Sequence, residues 1–174
     1  FTLDANTAGV ANTGIGYTSL SFNSSGDNNT AVGKRSLRAN TTASNNTGVG
    51  YHALDANTTG INNTAVGSLA LEDNTTGQGN IAVGKGALEN NTTGSYNVGI
   101  GRETLQTATT AFFNVGLGNG ALKLVTTGAS NVAVGSQALD ANTTGEENTA
   151  IGTDSLGGNT TGNRNTALGN DCLV

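Results

Sequence analysis

Asn63-Thr64-Ala65-Val66-Gly67-Ser68-Leu69-Ala70-Leu71-Glu72-Asp73-Asn74-Thr75-Thr76-Gly77-Gln78-Gly79 is one unit of a repeat that runs through the whole chain. Gly67 has counterparts at 16, 33, 50, 84, 101, 118, 135, 152 and 169, a spacing of 17 without insertion or deletion over ten units. Val, Ile or Leu precedes each of these glycines, from Ile15 to Leu168, and Leu follows each by four positions, from Leu20 to Leu173. Asn stands four positions before each, from Asn12 to Asn165, and Ala or Gly two positions before. The unit approximates to N-x-[AG]-[VIL]-G-x-x-[AS]-L-x-x-N-T-T-G-x-x.

Seventeen residues are too few for two packed helices, and the glycine and β-branched content disfavours any helix. The pattern predicts a short strand over N-x-[AG]-[VIL], a Gly turn, a second short strand around [AS]-L, and an N-T-T-G corner. Coils of this kind stack in register at ~4.8 Å, so like side chains form ladders along the axis. An unbroken period is what stacking requires, because one inserted residue would move every later column to the wrong face. The fold expected is therefore an all-β parallel solenoid of ten 17-residue coils over residues 1–174, read as a segment of a longer fibre protein.

Each column then has an expected task. The aliphatic before Gly and the Leu after it, Val66 and Leu71 in this unit, are read as core fillers. The Ala-or-Gly column permits close backbone approach, across a thin interior or at a subunit interface. The Gly column suits a corner with positive φ or without room for Cβ, and the Asn column suits amide ladders that cap corner backbone groups. One Val and one Leu per coil bury little against the entropy of ordering 17 residues, which points to oligomerisation as a second source of burial.

Composition narrows the functional classes. Hydrophobic residues make up 34% of the chain and aromatics 4%, with no Trp, Met or Pro and 27 Gly, so a thick globular core is excluded. A net charge of −5 argues against nucleic acid or an anionic membrane surface as partner. Lys34, Arg35 and Arg38 form the only basic cluster and read as a solvated face. Phe1 opens no signal peptide, no apolar run has the length of a membrane span, and Cys172 is a lone thiol in a small-residue column.

The segments Asn80-Ile81-Ala82-Val83-Gly84, Asn97-Val98-Gly99-Ile100-Gly101 and Asn131-Val132-Ala133-Val134-Gly135 resemble the N-x-V-A-I-G repeats of trimeric autotransporter adhesin heads of the YadA type. The longer form, with A-L and N-T-T-G, resembles repeats of phage tail fibres and bacterial surface fibres. The resemblance covers essentially the whole chain, although the unit is longer than the usual adhesin head unit. It implies a left-handed β-roll, trimeric, on a cell or virion surface, without membrane insertion in this segment, and contacting filament neighbours or a host-surface receptor or glycan.

No constellation for chemistry is found. His52 is the only histidine, lacks a nucleophile elbow, and sits in a variable column with Arg35, Leu69, Gly86 and Gln137, which marks it as exposed. The carboxylates at Glu103, Asp154 and Asp171 are scattered, so neither catalytic, metal nor cofactor residues are assigned, and a polysaccharide-cleaving tailspike lacks its carboxylate pair. The alternative to a structural and adhesive fibre is an ice-binding solenoid using the Thr ladders, such as Thr58-Thr59 and Thr75-Thr76. Adjacent Thr residues in extended backbone point to opposite faces, which weighs against it.

Two sets of residues remain as contact candidates. Asn23, Asn40, Asn57, Asn74, Asn91, Asn142 and Asn159 head N-x-[ST] sequons, which read either as glycosylation acceptors or as turn chemistry. Tyr96, Phe112, Phe113 and Leu124 are apolar where other coils carry polar residues, and the corner Asn column becomes Ala108 and Val125 close by. They read as a docking patch for a partner chain, a filament neighbour or a ligand, or as groups covering a local irregularity or packing on a neighbouring subunit.

Overall fold

The computed structural model describes residues 2–173. Within them lie β1 (Thr13–Ile15), β2 (Thr30–Val32), β3 (Thr47–Val49), β4 (Thr64–Val66), β5 (Ile81–Val83), β6 (Val98–Ile100), β7 (Val115–Leu117), β8 (Val132–Val134), β9 (Thr149–Ile151) and β10 (Thr166–Leu168). They form one parallel sheet in strict chain order. Thr64 lies opposite Ile81, Ala65 opposite Ala82 and Val66 opposite Val83, so each coil pairs with the next at the repeat spacing. The chain is an all-β parallel solenoid. No helix among the described residues is long and apolar enough to cross a membrane. Ten strands at ~4.8 Å give a rod about 45 Å long.

Strand geometry decides what lies inside. Alternate side chains point to opposite faces, and the middle residue of each strand faces inward, so Ala31, Ala65, Ala82 and Ala133 are fully buried. They pack against the Leu column (Leu37, Leu54, Leu71 and Leu88) and the small residues before it, Ala70 and Ala87 among them. The interior is thin, and the Ala-or-Gly column is what brings the strand wall close to the leucines. Gly99 shows the fit, since a Cβ built there would stand 3.4 Å from Leu88 and 3.5 Å from Leu105.

The same alternation corrects the reading of the aliphatic before Gly. Val66 was expected in the core beside Leu71. It is 37% exposed, whereas Leu71 is fully buried. Ile15, Ile100, Leu117, Ile151 and Leu168 are likewise exposed, because a residue next to an inward Ala in a strand must point out.

The expected second strand is also absent among the described residues, although coil-to-coil pairing continues there. Leu71 N–H donates to the Ala87 carbonyl at 3.0 Å and Asp73 N–H to that of Glu89 at 3.0 Å. The Leu column and the column two residues before it have positive φ, 51° at Leu71 and 62° at Leu69. That left-handed conformation takes the segment out of strand dihedrals while leaving its amides aimed along the axis. The Gly column behaves as expected: φ runs from 127° at Gly16 to 141° at Gly50.

Two buried Asn ladders close the corners. Asn80 receives nothing from solvent: its Nδ2 donates to the Gly94 carbonyl at 2.9 Å, and its Oδ1 accepts the Asn97 backbone N–H at 3.0 Å. In the second ladder Asn91 Nδ2 donates to Asn74 Oδ1 at 2.7 Å and also to Gly94 O at 3.0 Å. One corner carbonyl thus takes two amides, which is why N-T-T-G recurs. The second ladder stops at Ala108 and Val125, both fully buried, and there Asn91 Oδ1 is buried without a partner. Installing Asn at both positions should complete the ladder and satisfy that oxygen. A net stabilisation of about 1–3 kcal/mol follows, read as a rise of several degrees in melting temperature; an unchanged or lower value would show that the gap is not a defect.

Candidate contact surfaces

The variable column that holds His52 runs along one edge of the rod, facing a column one coil further on. Residues twenty apart meet there. Arg35 Nη2 lies 2.7 Å from Asp55 Oδ2, His52 Nδ1 lies 2.8 Å from Glu72 Oε1, and Lys123 Nζ lies 2.8 Å from Glu103 Oε2. Arg38 Nε adds a second bond to Asp55 at 2.8 Å. His52 is therefore only 8% exposed, against the exposed position expected for it. Tyr51 stacks on its ring at 4.0 Å, and Lys34 lies over Tyr51 at 5.7 Å. The basic cluster is in this way tied into pairs rather than left as a free cationic face.

His52, Asp55 and Glu72 bring three metal-capable atoms within 4.8 Å of one another. Both Asp55 oxygens are already held by guanidinium groups. A cation there would have to displace two arginines and sit against their charge, so the donor set suits an ion-pair network better than a metal. Nearby, burial first and then the carboxylates of Glu72, Glu89 and Asp55 push the Asp73 carboxyl above its usual value. Burial, reinforced by Asp154, does the same to Asp140. Hydrogen bonds from Lys123 and then Arg102 hold Glu103 down at about 2. These shifts follow from burial and from the charges and hydrogen bonds along the edge. Cys172 is partly buried against the end of the core.

The sequon asparagines form the second ladder. Asn23, Asn40, Asn57, Asn74, Asn91 and Asn142 are fully buried. Asn159, at the ladder's end, donates to Asn142 Oδ1 and Gly162 O. The amide nitrogens of the six buried asparagines are engaged in the corner, which is the turn chemistry of the motif, and Asn159 is half-buried. The first Thr of the corners from Thr41 to Thr143 is also engaged, as in Thr58 Oγ1 donating to Thr75 O at 3.0 Å and Thr75 Oγ1 to Thr92 O at 2.9 Å. Only the second Thr is fully turned out, leaving a single hydroxyl column at the corner.

Two surfaces are apolar and uncovered. Tyr96 and Phe113, in successive coils, stack with centroids 5.4 Å apart and planes 9° apart, and Phe112 meets Phe113 edge-on at 5.5 Å. Tyr96, Phe112 and Phe113 line one groove with Thr93, Gly94, Ser95 and Thr110. Leu124 is 45% exposed but stands in another column, and the groove does not include it.

The second surface was missed in the sequence: the outward strand face. The aliphatic column from Ile15 to Leu168 runs its length, and beside it the first strand position changes from Thr64 to Ile81, Val98, Val115 and Val132 before returning to Thr149. The signal was the strict Ala-or-Gly between the two, which marks the inward residue and so turns its neighbours out. Compared with protein-family models, with curated proteins and with solved structures, the chain matches none.

Proposed function

We propose that this chain is a structural and adhesive fibre module: a non-enzymatic rod that associates with two further copies of itself along the strand face and serves for length, rigidity and display on a cell or virion surface. The observation that carries the reading is the in-register aliphatic face, with Val66, Ile81, Ile100, Val115, Leu117 and Ile151 each at least 37% exposed. A three-residue strand spans about 10 Å, so over a rod of about 45 Å the face covers roughly 450 Å². The aliphatic column runs the length of this face, and in its middle coils, from Ile81 to Val132, both outward positions are apolar, an exposed patch of the kind that marks a contact surface. Three such faces on one axis bury on the order of 1,350 Å² in all, shared among the three chains, so that the assembly and not any one pair reaches the area a specific contact needs. Parallel association about an axis keeps all coils pointing the same way, as a fibre requires, and the repeat resemblance supports three chains. The middle coils, where Thr gives way to Ile and Val, make the face apolar rather than a hydroxyl array. That favours subunit contact over ice binding, which a thermal-hysteresis assay would detect.

Val66→Asp is the test. The side chain points out, so the single coil stack should still form and keep its β-type circular dichroism, while three carboxylates gathered on one axis should break the assembly. Light scattering should then read about 17 kDa instead of a multiple of it. A Val66→Asp chain that keeps the wild-type mass would remove the strand face as the interface.

A further inference from the structure

We infer that the groove between Thr93 and Phe113 is a binding site for a neutral pyranose sugar. The ring stack is built rather than incidental. Gly79 occupies the corner position below Tyr96, and a Cβ there would stand 2.8 Å from the Tyr96 ring, so the glycine is what lets the ring lie down. Tyr96 is also fixed at its hydroxyl, which accepts Gln78 Nε2 at 2.8 Å. Phe113 lies on Tyr96, and the next coil carries Ser130 at that position, so the stack ends with Phe113 56% exposed. Phe112 stands across it at 80° and is 45% exposed.

The chemistry of the groove selects the ligand. Its volume is about 230 Å³, and Thr93 and Thr110 line it beside the rings, while the Ser95 hydroxyl accepts the Gln78 backbone N–H and donates to Thr93 O; no Lys, Arg, Asp or Glu lines it. A pyranose has one face of axial C–H groups, whose positive edges suit the negative face of an aromatic ring, and a rim of hydroxyls that can exchange hydrogen bonds with the Thr hydroxyls. With no cation lining the groove, an acidic sugar gains nothing. A protein partner fits less well, because three half-exposed rings offer on the order of 300 Å², well under the roughly 800 Å² per partner of a standard interface. A neighbouring copy in a filament would use a column repeated along the rod, whereas the stacked pair occupies two coils only.

The site names the ligand class for the adhesive part of the reading above and rests on it in one respect: in an assembly of three, three weak sites act together and gain by avidity. The test needs no assembly. Methyl β-D-galactopyranoside and methyl β-D-glucopyranoside are the probes, with N-acetylneuraminic acid as the charged control, in saturation-transfer NMR with the whole chain. At least one neutral probe should receive transfer on its axial-face protons, with Kd in the millimolar range. Phe112→Leu, which keeps apolar bulk and removes the π face, should weaken it at least about tenfold with melting temperature and light-scattering mass unchanged. No transfer to either neutral probe at about 10 mM, an equal response to the charged control, or full binding by Phe112→Leu would each overturn the inference. Failure of the fibre reading would show separately, as a wild-type mass of one chain.

Discussion

Gly67→Ala is expected to unfold the coils around it. At φ 136° the backbone of Gly67 is in a region that L side chains rarely adopt, and a Cβ there would lie 2.5 Å from the Gly84 carbonyl oxygen and 2.7 Å from its carbon. Neither atom belongs to a flexible side chain, so the stacked coils would have to part. Backbone strain alone costs about 1–3 kcal/mol, and the lost pairing between β4 and β5 adds to it. A fall in melting temperature of 10 °C or more is expected for a chain of this size. Gly86→Ala is the control. It also has positive φ, 65°, but its nearest neighbours are flexible side chains and its column accepts Leu69 and Gln137 elsewhere. About 1 kcal/mol is expected there. Equal effects at the two glycines would mean that the Gly column is a matter of φ alone and not of coil contact.

Asn80→Leu should be nearly as damaging, although the volumes are similar. It removes the amide that Gly94 O shares, the bond to Asn63 Oδ1, and the acceptor of the Asn97 backbone N–H. That last group is then buried and unpaired. An orphaned donor costs about 1–3 kcal/mol, and each lost bond about 0.5–1.5 kcal/mol, so a loss of about 4 kcal/mol is expected. Asn74→Val in the other ladder should cost clearly less, because there Oδ1 accepts a side-chain amide from Asn91 and no backbone group. The chain has already made that exchange at Val125. Thermal melts of the two variants give the comparison; a milder Asn80 variant would contradict the division of labour between the ladders.

That division also explains what could be read from the sequence. The period, the parallel stacking, the Gly corners and the amide ladders were legible, since each rests on one residue type with one backbone consequence; the period, the Gly column and the first Asn column repeat without exception, and the second Asn column is broken only at Ala108 and Val125. Direction was harder. Val66 and Leu71 are both apolar and five residues apart, and hydrophobicity alone places both inside. Only the strict Ala-or-Gly at 65 and its equivalents separates them, because an interior wall that admits nothing larger than Ala turns the flanking residues outward. The second strand failed for a different reason: positive φ at Leu69 and Leu71 has no signature in residue type, since leucine is a poor choice for it and is held there by burial on one side. His52 looked exposed because its column is variable, yet the partner Glu72 lies twenty residues on, one coil plus three positions, which the repeat alone does not reveal.

A solution-scattering measurement on the wild-type chain, giving mass and longest dimension together, bears most directly on the claim that the strand face joins three parallel rods. The account predicts about 52 kDa, three times the 17.2 kDa of one chain, with a longest dimension near the roughly 45–50 Å that ten coils allow. A monodisperse particle of one chain's mass, stable and soluble with the Val66 face bare, would contradict it.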